Sequence, residues 1–449
     1  MTAWLLDQFR EAGPAPALVA DDRTCSYEWL LDRIERARRS FDEERLAPGT
    51  VVALLADASP ESCALLIALI ERQTVIVPIS PAAPDPERLM DIAQVETVIG
   101  LGGAAVSRPR PGTSRASHAL VERLRSDQTA GLVLFTSGST GDPKAALHDF
   151  SRLLEKFRTR RLPLRTLAFL LIDHIGGINT LFHVLSNGGA VVSVSQRDPD
   201  SICATIARHR VELLPTTPTF LNLMLLSQAL LRHDISSLRQ ITYGTEPMPQ
   251  TTLDRLHALL PNVRLSQTYG LSELGILRAK SKSSGSLWVQ LGGEGMETRV
   301  ADGTLWIRAR SAMLGYLNAP SPFDADGWFN TEDEVEVDGD YMRLKGRRSE
   351  IINVGGQKVY PAEVESVLLR MENVKDVLVH GERNPLTGQV VTARFQLESP
   401  EPLDVLRRRV REHCRAVLLP FQIPARVEIV EKPQHSARFK KIRLPENAG

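Results

Sequence analysis

Leu132-Val133-Leu134-Phe135-Thr136-Ser137-Gly138-Ser139-Thr140-Gly141-Asp142-Pro143-Lys144 is the stretch on which the reading of the chain turns. The apolar run Leu132 to Phe135 predicts a buried strand, and Phe150 to Arg158 beyond it has a helix-like mix of apolar and charged positions. Between them lie four hydroxyls (Thr136, Ser137, Ser139 and Thr140), the glycines Gly138 and Gly141, and Lys144. Hydroxyls and unhindered backbone N–H groups wrap anions, glycine permits the turns, and lysine adds positive charge, so the natural ligand is a polyphosphate. The loop is not the P-loop of nucleotide hydrolases, because Pro143 precedes Lys144 and Ala145 follows it. A Ser/Gly-rich turn alone is weak evidence, so the rest of the chain must supply its partners.

Working outward, strands and helices alternate on both sides of this loop. Upstream, strands are predicted at Val51 to Leu55 and Thr74 to Ile79, with helices at Cys63 to Ile70 and Pro86 to Ile92. Downstream the alternation resumes with a strand at Leu167 to Ile172 and continues to Val263 to Gln267. Such alternation implies largely parallel sheets with helices on both faces, here as two α/β lobes over about residues 1–284. From Gly285 the pattern changes to short strands punctuated by Asp302-Gly303 and Asp338-Gly339, which predicts a small antiparallel β-barrel to about residue 346. Residues 347–449 read as a small, mobile α+β C-terminal domain with its hinge near Ser349.

Composition bounds the function. A chain of 449 residues is too long for one core, and 54 Lys+Arg against 54 Asp+Glu gives zero net charge, hence no global attraction to nucleic acid. The four cysteines, at 25, 63, 203 and 414, form no close pairs, so neither a zinc knuckle nor a disulfide framework is expected. Without a signal-like start or a membrane-length apolar run, a cytoplasmic protein with no membrane insertion is expected.

Five stretches together resemble the adenylate-forming superfamily of acyl- and aryl-CoA synthetases, peptide-synthetase adenylation domains and luciferase-like enzymes. They are Thr136 to Lys144; Tyr269-Gly270-Leu271-Ser272-Glu273; Thr331-Glu332-Asp333; Gly346-Arg347 through Gly355-Gly356 to Glu365; and Ser436 to Arg443. The sequence departs from the family pattern at Ser272 (for Thr), Glu332 and Phe439 (for Gly), Lys441 (for Ile) and Ser349 (for the hinge Asp or Lys). The resemblance implies ATP-dependent activation of a carboxylic acid to an acyl-adenylate, release of pyrophosphate, and transfer of the acyl group to a thiol. The first step brings two anions together, so charge neutralisation and positioning must carry most of the catalysis.

What the resemblance implies for single residues is specific. Thr136, Ser137, Gly138, Ser139, Thr140, Gly141 and Lys144 would hold the β- and γ-phosphates, and Glu273 would bind Mg²⁺. Tyr269, Gly270 and Ser272, with Gly244-Thr245-Glu246-Pro247, would hold the nucleotide; Asp333 and Arg347 would reach the ribose and the α-phosphate side. Lys440 is the candidate catalytic lysine, with Lys441 the alternative one residue on. His174 and Arg347 complete the catalytic set.

The acid pocket would be formed by Asp173, His174, Ile175, Gly176, Gly177, Tyr243 and Leu271, and its apolar neighbours favour an uncharged aryl or aliphatic acid. Asp173 leaves amino acid activation open, since a carboxylate there could pair a substrate ammonium. Gly355 and Gly356 would line a pantetheine passage. The acceptor is read as coenzyme A, with the phosphopantetheine thiol of an acyl or peptidyl carrier protein as the alternative. Lys358 and the arginines 407, 408, 409 and 411 are candidates to meet its phosphates or acidic surface, and a non-catalytic nucleotide-binding homologue is the remote reading.

Overall fold

The structure, a computed structural model, describes residues 2–57, 59–101, 105–111, 113–137, 143–436 and 438–443. Among these residues two seven-stranded sheets form the large body. In one, Val51–Leu55, Val75–Ile79, Thr97–Leu101 and Gly131–Ser137 run parallel. In the other, parallel strands from Arg165–Leu167 to Arg264–Gln267 are joined at one edge by the hairpin Pro16–Ala20/Arg23–Ser26. The N-terminal hairpin thus crosses to the sheet built by the later residues. Helices Pro60–Glu71 and Ile175–Leu185 share one core with Leu54, Ile76 and Leu132 of the first sheet and Leu18 and Val191 of the second. This explains why Pro60–Glu71 is apolar nearly all round rather than on one stripe.

Between the phosphate-like loop and the helix beginning at Phe150 lies a strand that periodicity did not reveal, Pro143–Asp149, antiparallel to Gly131–Ser137. Both its faces are buried from Ala145 onward, so it lacks the alternation that marks a half-exposed strand. The loop therefore spans a hairpin, with Thr136 and Lys144 directly opposite in register. Residues 279–347, expected as a small antiparallel β-barrel, form a six-stranded antiparallel sheet that is open, a half-barrel, with left-handed Asp302 and Gly303 turning one of its hairpins. Beyond it, Ile352–Ile429 builds a five-stranded sheet against helices Pro361–Leu368 and Leu403–Arg415, with its own core around Val364, Val379, Phe395 and Leu406.

Candidate active site

The C-terminal part is closed against the large body, and a cavity of about 2250 Å³ opens at their junction. Its wall includes Thr136, Lys144, Gly244, Thr245, Gly270, Ser272, Glu273, Arg347 and Lys440. Gly138, Ser139, Thr140 and Gly141 lie outside the described residues, as does the Ser137 side chain. Glu273 is fixed by Tyr316, whose hydroxyl donates to Oε1 at 2.6 Å, and the Tyr316 ring lies 5.6 Å from the Lys144 ammonium. His148 is fully buried one strand away and donates from Nε2 to the Ser272 carbonyl at 2.6 Å. Burial lowers its pKa to about 4, so it serves as a neutral strut between the strand after the loop and the Ser272-Glu273 turn.

Asn318 completes this end by accepting from the Ala145 N–H at 2.9 Å and donating to the Pro143 carbonyl at 2.9 Å. The sequence reading missed Tyr316, His148 and Asn318. Their one signal is Gly315–Tyr316, a two-residue strand on the edge of Pro143–Asp149 and too short for any periodicity.

Of the expected nucleotide residues, some face the cavity and some stand behind it. Tyr269 is 6% exposed, packs in the core of the half-barrel, and donates its hydroxyl to Asp333 Oδ2 at 2.5 Å. Asp333 Oδ1 faces Arg347 Nε at 3.6 Å; burial pushes the Asp333 carboxyl upward against the pull of Arg347 and the Tyr269 hydrogen bond. Glu246 accepts from the N–H of Thr219 at 2.8 Å and of Lys441 at 3.1 Å, so it ties the C-terminal segment to the body, with Pro247 beside it.

The two adjacent lysines part company. Lys441 Nζ is 3.2 Å from Glu365 and 3.5 Å from Asp376 and donates to the Val377 carbonyl at 2.6 Å, with Arg443 bonded to the same Glu365. Burial opposes its charge, but those carboxylates raise its pKa overall. Lys440 lines the cavity instead and is exposed to it. Desolvation by the surrounding protein, with repulsion from Arg347, lowers its pKa against the attraction of Glu350, Glu246 and Asp333.

On the acid side, His174 caps helix Ile175–Leu185: its Nδ1 accepts from the Gly176 N–H at 3.0 Å, which leaves the proton on Nε2. Burial and the nearby Arg438 and Lys440 lower its pKa to about 4, so it is neutral at neutral pH. His174, Ile175, Gly176 and Leu271 are on the cavity wall, while Asp173, Gly177 and Tyr243 stand behind it. A Cβ at Gly177 would lie 1.9 Å from the Leu171 carbonyl oxygen, so this glycine lets the helix start press against the preceding loop. Asp173 is already paired with Arg438 Nη2 at 3.0 Å.

Gly355 and Gly356 form the left-handed turn of the exposed hairpin Ile352–Val354/Gln357–Val359, away from the cavity wall. Ser349 is exposed in a single turn, Arg348–Glu350, directly after the last half-barrel strand. Buried Glu334 on that half-barrel holds Lys358 Nζ at 2.6 Å, the Tyr360 hydroxyl at 2.7 Å and Arg348 Nε at 3.4 Å. Lys358 is thus a tie between the two parts in this arrangement. Arg409 is bound to Glu401, while Arg407, Arg408 and Arg411 are exposed.

Glu273 is a single carboxylate, and no cluster of three His, Cys, Asp or Glu suited to a metal occurs among the described residues. That donor set fits Mg²⁺ held mainly by phosphate oxygens and water rather than a resident metal in a protein cage. No helix among the described residues is long and apolar enough to cross a membrane.

Comparison with known proteins agrees with this architecture. The indoleacetate–CoA ligase of Aromatoleum aromaticum is 29% identical over 442 residues, covering 86% of each chain. The fatty acid–[acyl-carrier-protein] ligase ScoC of Streptomyces coeruleorubidus is 26% identical, covering 95% of this chain and 92% of its own. The crystal structure of the anthranilate CoA ligase AuaEII in complex with anthranoyl-AMP superposes with a TM-score of 0.83 at 19% identity, covering 97% of this chain and 95% of that one. Residues 5–317 match the family described as AMP-binding enzyme, and residues 363–440 match its C-terminal domain family. The chain belongs to the AMP-binding enzyme family.

Proposed function

We propose that the protein activates an aryl or aliphatic carboxylic acid with ATP, releasing pyrophosphate, and passes the acyl group from the adenylate to coenzyme A. The observation that carries this reading is the convergence of Lys440 and Arg347 with Thr136, Lys144 and Glu273 around one cavity. Lys144 and the loop bind the outer phosphates. Lys440 and Arg347 neutralise charge where the carboxylate meets the α-phosphorus, the point at which charge builds as the two anions join. His174, neutral with its proton on Nε2, offers a hydrogen bond to the acid rather than a charge. Mg²⁺, held by Glu273, would supply further neutralisation of the phosphates. Residues 1–346 act as the body and 347–449 as the cap. The turn at Ser349 lets the cap rotate after adenylation and bring the Gly355-Gly356 hairpin to the cavity for the thiol.

The Asp173–Arg438 pair weighs against amino acid activation, since the carboxylate that an ammonium would need already has a partner. A carrier-protein thiol is the second reading, favoured by exposed Arg407, Arg408 and Arg411 on one helix and by the activity named for ScoC. Pyrophosphate release with a panel of acids, followed by mass spectrometry with coenzyme A or a phosphopantetheinylated carrier, separates the two. A CoA thioester is expected; acylated carrier without CoA product overturns the preference.

A further inference from the structure

The cavity continues past the site described above, along one face of helix Ile175–Leu185, through Gly176, Asn179 and His183 to Lys156 and Arg161. These helix positions recur at three- and four-residue spacing, so they line one continuous side. Each end carries its own pair of cations: burial first, then Arg438 and Lys440, lowers the pKa of His174 at the helix start, and burial first, then Arg161 and Lys156, lowers that of His183. Nine residues of helix separate the two histidines, about 13 Å at 1.5 Å per residue.

Lys156 is unusual for a lysine in such a wall. Its Nζ donates to Asn179 Oδ1 at 2.5 Å and to the Ile276 carbonyl at 2.7 Å, both neutral acceptors. Among the described residues no carboxylate is paired with Lys156 or with the Arg161 side chain, and adjacent Glu155 turns to Arg158. An ammonium has three N–H donors, so one remains for a ligand. Lys156 and Arg161 are both exposed on this wall, and what calls for an anion there is the spare N–H donor of Lys156 and two cations side by side without a carboxylate partner among the described residues.

We propose that the acid substrate carries a second carboxylate, at the end away from the reacting one, and that Lys156, with Arg161 beside it, binds that group. This rests on the acid-activating reading above and deepens it, replacing an uncharged acid with a dicarboxylic one on the order of 10 Å long. Burial and the nearby Arg161 lower the Lys156 pKa to about 7, so a bound carboxylate would restore the charge and take up a proton. Preference for the diacid should therefore weaken as pH rises above about 7.

The test compares straight-chain dicarboxylic acids of six to ten carbons with their half methyl esters, which keep the length and remove one charge. AMP formation should favour the diacid by about 10- to 100-fold in kcat/KM, chiefly through KM. Lys156→Met should narrow that ratio to within about threefold, and Lys156→Arg should keep it above that; thermal unfolding checks that each variant folds. Half-esters used as well as diacids, or a ratio unmoved by Lys156→Met, overturns the proposal. If no acid yields AMP, the activity reading fails on its own. Calorimetric titration of diacid and half-ester into the wild type and Lys156→Met then decides the carboxylate site, equal affinities refuting it.

Discussion

At the scale of single residues, two positions where the family pattern has glycine keep a left-handed backbone without one: Glu332 at φ 59° and Phe439 at φ 53°. Left-handed geometry costs a residue with a Cβ about 1 kcal/mol. Glu332 is exposed and gains only a backbone hydrogen bond to Asn330, so Glu332→Gly should stabilise the protein by about 1 kcal/mol in chemical denaturation. A destabilised variant would show that the Glu332 side chain offsets the strain. Phe439 has such an offset, its ring lying 5.5 Å from Phe169 and 4.9 Å from Phe220 of the body.

The adjacent lysines should differ in kind. Lys440→Ala should lower acid-dependent ATP–pyrophosphate exchange by 10²-fold or more with little change in melting. Lys441→Ala leaves Glu365 and Asp376 short of a counter-charge and should cost about 3 kcal/mol of stability. The sequence left these two open because both are lysines in a basic run; which one is tied down depends on carboxylates more than sixty residues away. Tyr316 was illegible for a similar reason, since only the fold brings it to Glu273.

Among the elements, the segment Gln434–Arg443 decides how the cap sits. Thr217 Oγ1 donates to the Phe439 carbonyl at 2.8 Å, and the Lys441 N–H donates to Glu246. Phe439→Ala removes the aromatic contact that holds the closed arrangement. It should slow adenylation about tenfold while sparing thioester formation from a supplied acyl-adenylate. Equal loss in both half-reactions would place Phe439 in the pocket rather than in the closure.

Elements with a strong local signal were legible: the strand Val51–Leu55 and the helix Pro86–Ile92 begin and end where their patterns do. The strand expected over Leu167 to Ile172 stops at Leu167; beyond it Phe169 and Ile172 stay in the core while Leu170 and Leu171 line the cavity. Apolar composition alone does not distinguish sheet core from pocket wall.

For the whole molecule, pH enters through buried histidines. His148 has its pKa lowered from the usual value near 6.5 to about 4, so the unfolded chain binds a proton first as pH falls. Its contribution is complete above about pH 6.5 and is lost between there and about pH 4, by up to about 3 kcal/mol. Denaturation at pH 7 and pH 5 should show this loss, and His148→Gln should reduce it; an unchanged pH dependence would mean that His148 is not the group responsible. The two-sheet body, half-barrel and C-terminal α+β part followed from alternation and turn chemistry. The closed pose did not, since it is set by pairs such as Thr251–Ser366 and Asp173–Arg438 that link distant stretches.

The central claim is that a carboxylate oxygen of the acid attacks the α-phosphorus of ATP in the cavity bounded by Lys440 and Arg347. The direct measurement is turnover of an acid labelled with ¹⁸O in its carboxylate, with mass spectrometry of the products. One labelled oxygen should appear in AMP as the thioester forms. Unlabelled AMP, or label in inorganic phosphate, would contradict it.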